Sequence, residues 1–291
     1  MAQQILEIPA FSGAPLAQVT DVELGRFADL IYARTGIRVS PQKRTLLSNR
    51  LRRRLRVTGI ADFAAYFEHL KRLRPADAEW DAFLQEITTH ETYLFRDENQ
   101  WDWFRREFMA ECAARGTSAG QQRSLRIWSA ACSTGDEAMT AACCIAACLP
   151  NVSQWNIRIV GTDIGVGALE QARSGVFGER AMRLTPDDYR QRFFTKVDNA
   201  AVWRAKPILT GMVDFRQHNL MDVLAEKPFD LVFLKNVLIY FDAASKKTVV
   251  GRICASIRPG GLLVAGAAEG ISELLQGLQR IHPWLYRKPL R

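Results

Sequence analysis

From Asp21 onward the apolar residues Leu24, Phe27, Leu30 and Ile31 recur at spacings of three and four, which predicts a helix capped by Thr20 or Asp21. Ser40-Pro41 marks the next start, since proline lacks an N–H where the first helical turn has no use for one. Beyond it Leu47, Leu51 and Leu55 form a stripe at four-residue spacing, and Arg50, Arg53 and Arg54 fall on another face. Further helices fit 61–73, 76–88 and 99–114, and no alternating strand pattern interrupts them. The stretch GTSAGQQR (116–123) is polar, contains glycine and reads as a linker. These patterns predict an all-helical domain over 19–115 and a linker over 116–124, with a loose tail over 1–18.

After the linker the texture changes. LRIWSA (125–130), IRIVGTD (157–163), FDLVFL (229–234) and LLVAGA (262–267) are short apolar runs suited to buried parallel strands. Helical segments at 136–149, 166–174 and 243–257 separate most of them. Strand–helix alternation of this kind predicts a doubly wound α/β domain over 125–291. Residues 175–212 break the alternation and read as an insertion.

Composition adds boundaries to this outline. A chain of 291 residues, 48% hydrophobic and 24% charged, suits two modest globular domains. No apolar run reaches the roughly 18 residues of a membrane span, and the opening MAQQILEIPAF lacks the features of a signal peptide. A cytoplasmic location is therefore expected. Cys112, Cys132, Cys143, Cys144, Cys148 and Cys254 form no C-x-x-C pair, so reduced structural thiols and no metal site are expected.

The net charge of +8 matters through its distribution. Residues 20–115 carry 17 Lys/Arg against 15 Asp/Glu, yet KRTLLSNRLRRRLR (43–56) holds seven bases and no acid. A focused patch of this kind suits a negative partner, although a solvated helix face is the ordinary reading of a charge run.

Two segments suggest a ligand. SAACSTGDE (129–137) follows a strand and opens a helix, and its small residues allow close backbone approach. Asp136 and Glu137 would repel a pyrophosphate but tolerate a cationic sulfonium amino acid. Asp163 ends the second strand, where an acid is placed to accept both ribose hydroxyls. Each has a plainer reading: an ordinary strand-to-helix turn for the first, a helix N-cap for the second. Together they favour an adenosyl ligand.

HETYLFRD (90–97), SAACSTGDE (129–137), VGTDIGVGALEQARSGVF (160–177), HNL (218–220) and LKNVLIYFD (234–242), in that order, resemble the signature of the CheR-type chemotaxis receptor methyltransferases. The resemblance covers about residues 20–290. It implies a helical N-terminal domain, a Rossmann-like class I methyltransferase domain and a small inserted antiparallel β-subdomain. It also implies S-adenosylmethionine as methyl donor, S-adenosylhomocysteine as product, and methylation of glutamate side chains on chemoreceptors.

Carried over by residue, the resemblance assigns Thr92 and Arg96 to closing over the cofactor, with Arg96 also near the reacting centre. Glu137 would hold the methionine end and Asp163 the ribose, with Asn219, Leu220 and Asn236 completing the pocket and Tyr240 close to the methyl group. His90 stands where the family usually has Asn, Lys235 where it usually has Arg, and Leu94 replaces the first Phe of a pair. His90 and Lys235 still count among the expected cofactor-binding residues. Because HETYLFRD precedes the linker, the active site is expected to be assembled from both domains.

A glutamate carboxylate is already ionised near pH 7, so no general base is required. Arg96 and Tyr240 are therefore the expected catalytic residues, orienting that carboxylate. Arg50, Arg53 and Arg54 are expected to dock the acidic, cytoplasmic helical region of the receptor. Some family members also grip a receptor C-terminal pentapeptide through a glycine-rich loop. Here the corresponding stretch TKVDNAAVWRA (195–205) has no glycine, so action without that tether is expected; a monomer is expected as well. The competing readings are a nucleic-acid methyltransferase and a non-catalytic binder of S-adenosylmethionine or its product. The first lacks its usual [N/D]-P-P-[Y/F] element, since the matching place reads KNVLIY.

Overall fold

A helix that begins with a reciprocal cap opens the described chain. The Thr20 hydroxyl accepts from the Glu23 N–H at 3.2 Å while Glu23 accepts from the Thr20 N–H at 2.8 Å. Thr20 rather than Asp21 is thus the cap of α1 (Asp21–Thr35). A computed structural model describes residues 19–40, 44–74, 77–88, 91–117, 123–197, 201–266 and 268–290. The tail 1–18, Pro41 of the predicted helix start, His90 and residues 118–122 of the predicted linker lie outside them. The chain divides into two compact units, one of Met1–Arg34 and Arg38–Ile87, the other of Thr35–Ile37 and Thr88–Arg291.

In the first unit α1 is followed by α2 (Arg44–Thr58), α3 (Phe63–Arg72) and α4 (Ala78–Ile87). α3 starts two residues later than its periodicity predicts, because the Asp62 side chain caps it by accepting from the Ala65 N–H at 2.8 Å. Leu24, Phe27 and Ile31 of α1 are buried, as are Leu47, Leu51 and Leu55 of α2. They share a core with Tyr66, Leu70, Phe83 and Leu84. The predicted stripes are therefore the buried faces.

The second unit opens with α5 (Glu98–Trp103), a π-helical turn over Phe104–Phe108, and α6 (Met109–Thr117). The sequence predicts one helix here, placed with the helical domain. Its apolar face instead packs on the sheet: Trp101 lies 5.2 Å and Phe104 6.1 Å from the ring of Phe233, between centroids. That burial is why residues 88–117 belong to the sheet's unit.

The predicted strand–helix alternation follows as β1 (Ser124–Ala130), α7 (Asp136–Cys148), β2 (Asn156–Asp163) and α8 (Val166–Ser174). The insertion comprises β3 (Val176–Gly178), α9 (Glu179–Met182), α10 (Asp187–Phe193), β4 (Phe194–Lys196), β5 (Val202–Ala205) and α11 (Pro207–Thr210). Its strands make a separate antiparallel sheet in the order β3-β5-β4. The chain then returns through β6 (Val213–Gln217), β7 (Phe229–Leu234), α12 (Ala243–Ser256), β8 (Ile257–Ala265), β9 (Gln279–His282) and β10 (Leu285–Arg287).

Among the described residues the main sheet has seven strands in the order β6-β2-β1-β7-β8-β10-β9. The first five are parallel, and β10 and β9 add antiparallel pairs. Successive strand residues point to opposite faces, and each face buries its own cluster. Ile127, Ile159, Leu231 and Phe233 join one cluster; Trp128, Val160, Val232 and Leu234 join the other. The chain runs from β1 outward to β2 and β6, then crosses to β7 on the other side of β1. The carboxyl ends of β1, β2 and β7 therefore border a topological switch, the usual place for a ligand in such sheets.

Candidate functional site

The loop after β1 carries unusual backbone. Ala131, Ser133 and Gly135 have φ of 60°, 52° and 85°, so two of the three are non-glycine residues in the left-handed region. The turn is fixed by the Cys132 N–H, which donates to the Thr162 carbonyl at 2.8 Å, and the Gly135 N–H, which donates to Cys132 at 2.9 Å. Small side chains alone would not hold such a path; neighbouring strands do.

Asp163 is one of the holders. Its two carboxylate oxygens accept from the Ser133 N–H at 2.8 Å and the Gly165 N–H at 2.9 Å. It is 6% exposed, and an ionised carboxylate offers about four lone-pair sites, so acceptor capacity is left over. The N-cap position of α8 is Gly165, which makes no side-chain cap bond, so the capping reading of Asp163 does not describe it. The His218 N–H donates to the Asp163 carbonyl at 2.9 Å, which brings Asn219 and Leu220 beside the same strand end. Burial pushes the His218 imidazole below its usual range.

Glu137 in the first turn of α7 accepts from the Ser129 hydroxyl at 2.7 Å through Oε1, and its Oε2 lies 3.6 Å from Lys235 Nζ. Burial raises its carboxyl pKa, opposed by Lys235. Lys235, 4% exposed in its side chain, also meets Asp97 Oδ2 at 2.9 Å and lies 5.7 Å over the Trp101 ring. One ammonium therefore joins the ends of three motifs: HETYLFRD, SAACSTGDE and LKNVLIYFD.

The segment 91–97 is anchored through its main chain. The Leu94 N–H donates to the Ala181 carbonyl and the Phe95 N–H to the Thr140 hydroxyl, each at 3.0 Å. The Arg96 carbonyl accepts from Trp101 Nε1 at 2.7 Å. Its guanidinium, half-buried, donates to the Glu91 carbonyl at 3.3 Å and lies 5.6 Å over the Tyr93 ring. Thr92 is half-buried on the same segment.

On the β7 side, Asn236 has φ of 58°, and Tyr240 closes a short 3-10 turn, Leu238–Tyr240, half-buried beside exposed Ile239. This turn rests on Glu269, a fully buried carboxylate that accepts from the Val237 N–H at 3.2 Å and whose carbonyl accepts from Lys246 Nζ at 2.7 Å. Burial raises its pKa, with bonds from the backbone of Val237, Leu238 and Asn236 opposing. Sequence reasoning missed Glu269; the available signal was an acid directly after the small apolar run 264–268 that closes β8.

Arg50, Arg53 and Arg54 lie in the first unit. Arg53 is exposed and pairs with Glu86 at 2.7 Å, and Arg50 is half-buried. Arg54, 11% exposed in its side chain, pairs with Glu79 at 2.5 Å, and Glu79 also accepts from the Tyr66 hydroxyl at 2.6 Å. Arg54 is thus an internal strut between α2 and α4, which leaves its charge largely committed.

The donor set fits a cationic adenosyl ligand better than a dinucleotide. Glu137, Asp136 and Asp163 outnumber Lys235 at the strand ends, a balance that disfavours a pyrophosphate. The loop between these acids is tight, with left-handed backbone at Ala131 and Ser133. Among the described residues no His/Cys/Asp/Glu cluster suited to a metal occurs, and no helix is long and apolar enough to cross a membrane. The six cysteines are free thiols, four of them buried.

Comparison with known proteins agrees with this geometry. A family model described as "CheR methyltransferase, SAM binding domain" matches residues 90–282, and one described as "CheR methyltransferase, all-alpha domain" matches residues 23–88. The chain is 34% identical over 262 residues to a chemotaxis protein methyltransferase of Escherichia coli (strain K12), covering 88% of this chain and 87% of that one. The Salmonella typhimurium protein of that name is 32% identical, with 89% and 87% covered. Chemotaxis protein methyltransferase 2 of Pseudomonas aeruginosa is 34% identical over 243 residues, with 82% and 83% covered.

Proposed function

The chain belongs to the CheR methyltransferase family, and on that premise we propose that it methylates glutamate side chains in the cytoplasmic helical region of chemoreceptors. The observation that carries this reading is the pair of acids at the carboxyl ends of β1 and β2, Asp163 buried and Glu137 half-buried, both still able to accept hydrogen bonds. S-adenosylmethionine, when bound, supplies a methyl group on a positively charged sulfur.

The residues of this chain divide the remaining work. Asp163 accepts from the ribose hydroxyls and Glu137 from the amino group of the methionine end. Asn219, Leu220 and Asn236 enclose the adenosine and methionine parts, with Thr92 on the segment before α5 and Lys235 held between Asp97 and Glu137. Arg96 and Tyr240 orient the incoming carboxylate, which needs no base because it is ionised near neutrality. Positioning of this kind supplies roughly 7–11 kcal/mol of a barrier when water is excluded. Arg96 orients rather than grips, since a tight ion pair would withdraw the nucleophile's charge.

Arg53 and Arg50 supply the docking charge for an acidic receptor helix, with Arg54 behind them holding α2 in place through Glu79. Action in the cytoplasm, as a monomer and without a receptor pentapeptide, completes the reading.

Incubation with radiolabelled S-adenosylmethionine and receptor-containing membranes tests it. Base-labile methyl ester on protein is the expected product; label in RNA, or no transfer at all, would overturn it in favour of a nucleic-acid enzyme or a non-catalytic binder. Arg96→Ala and Tyr240→Phe should each lower kcat, and an unchanged value in either removes that residue from the mechanism.

A further inference from the structure

Asp97 departs from what its position favours. It stands at the N-cap of α5, where an aspartate side chain ordinarily accepts from the first-turn amides and stabilises the helix. Here it makes no side-chain cap bond, and its backbone is left-handed, with φ of 65° and ψ of 67°. A non-glycine residue in that region is strained. Cap and relaxed backbone are both forgone, and the carboxylate reaches Lys235 Nζ at 2.9 Å instead.

Two carboxylates therefore share one ammonium. Lys235 sits 2.9 Å from Asp97 but 3.6 Å from Glu137, and it is nearly sealed from water while Asp97 is 43% exposed in its side chain. Glu137 Oε1 already accepts from the Ser129 hydroxyl, so Oε2 is the less committed oxygen for a ligand's amino group. An ammonium drawn fully onto that oxygen would compete with the ligand for it. Asp97 provides the counter-attraction that holds the ammonium back.

We propose that Asp97 is a positioning residue for methyl-donor binding: by holding Lys235 off Glu137 it keeps Glu137 Oε2 open to the donor's amino group, and it ties the Thr92–Arg96 segment to the end of β7 with the same bond. The proposal rests on the reading that Glu137 receives that amino group. A merely structural tether would also be weakened by loss of Asp97. Only the competition model requires that removing Lys235 as well should bring affinity back.

The test is calorimetric titration of S-adenosylhomocysteine into the full chain and its variants, with circular dichroism melts confirming that each is folded. Asp97→Asn should weaken binding about tenfold, within the ordinary range for coupled sites, and should raise KM for the methyl donor more than it lowers kcat. Asp97→Glu should recover most of the affinity. The double variant Asp97→Asn with Lys235→Gln should bind more tightly than Asp97→Asn alone. Wild-type affinity in Asp97→Asn, or a double variant no tighter than the single one, overturns the proposal. Glu137→Gln is the control on the underlying reading: if it binds as well as wild type, the role given to Glu137 fails independently of Asp97.

Discussion

Replacing Asp163 by Asn changes one oxygen for an amide nitrogen and leaves the shape almost untouched. In the native protein the two carboxylate oxygens accept from the N–H groups of Ser133 and Gly165 at 2.8 and 2.9 Å. Asparagine keeps one acceptor and turns an NH2 toward the other N–H, so a buried donor loses its partner. Bonds to charged acceptors are worth about 1.5–3 kcal/mol each, and an orphaned buried donor costs a similar amount. A loss of about 2–3 kcal/mol in unfolding free energy follows, read as a lower urea midpoint at unchanged slope. The same substitution removes half of the acceptor capacity facing the ribose, which should weaken S-adenosylhomocysteine binding by at least about tenfold, the equivalent of 1.4 kcal/mol. Urea titration and calorimetry on one preparation separate the two effects. Unchanged stability would refute the hydrogen-bond accounting, and unchanged affinity in a destabilised protein would refute the ribose assignment.

The remaining predictions concern groups beside that strand end. Asp136 is 1% exposed and burial pushes its carboxyl up to about 6, with the Thr134 hydroxyl partly opposing. The folded state therefore holds the proton more tightly than the unfolded chain, and this contribution, full below about pH 4, is lost as pH rises through about 6. A rise of about two units corresponds to roughly 3 kcal/mol, so Asp136→Asn should gain on wild type by about that much between pH 4 and 7 in urea titrations; parallel pH curves would refute it. Gly161 lies in β2 where an added Cβ would meet Phe215 Cδ1 at 2.6 Å and Cε1 at 2.7 Å. Gly161→Ala should cost about 1–3 kcal/mol by overpacking, read as a lowered Tm, and Phe215→Leu in the same chain should recover part of it. A full-strength Gly161→Ala would show that the ring has room to move.

Much of this molecule is written in local pattern. The helices of residues 19–88 and the strands β1, β2, β7 and β8 follow from spacings of three and four or from short apolar runs, because periodicity reports which face a segment buries. The places of Glu137 and Asp163 follow from the same local pattern, the first opening the helix after β1 and the second closing β2. Tertiary structure decided what periodicity cannot carry. β6 and β9 are short and partly exposed, with polar residues at positions such as Arg216 and Arg280, and β10 is buried but only three residues long, so their pairing rests on neighbours rather than on their own composition. The helix after Asp97 reads as part of the helical half until Trp101 and Phe104 are seen against Phe233. Charges follow the same rule. Sequence puts Arg54 on a basic face and Lys235 in a motif, but only distances across the fold show that Glu79 has claimed the first and that Asp97 and Glu137 divide the second. An ion pair is a choice among partners brought near by packing, and the order of residues along a chain does not contain that choice.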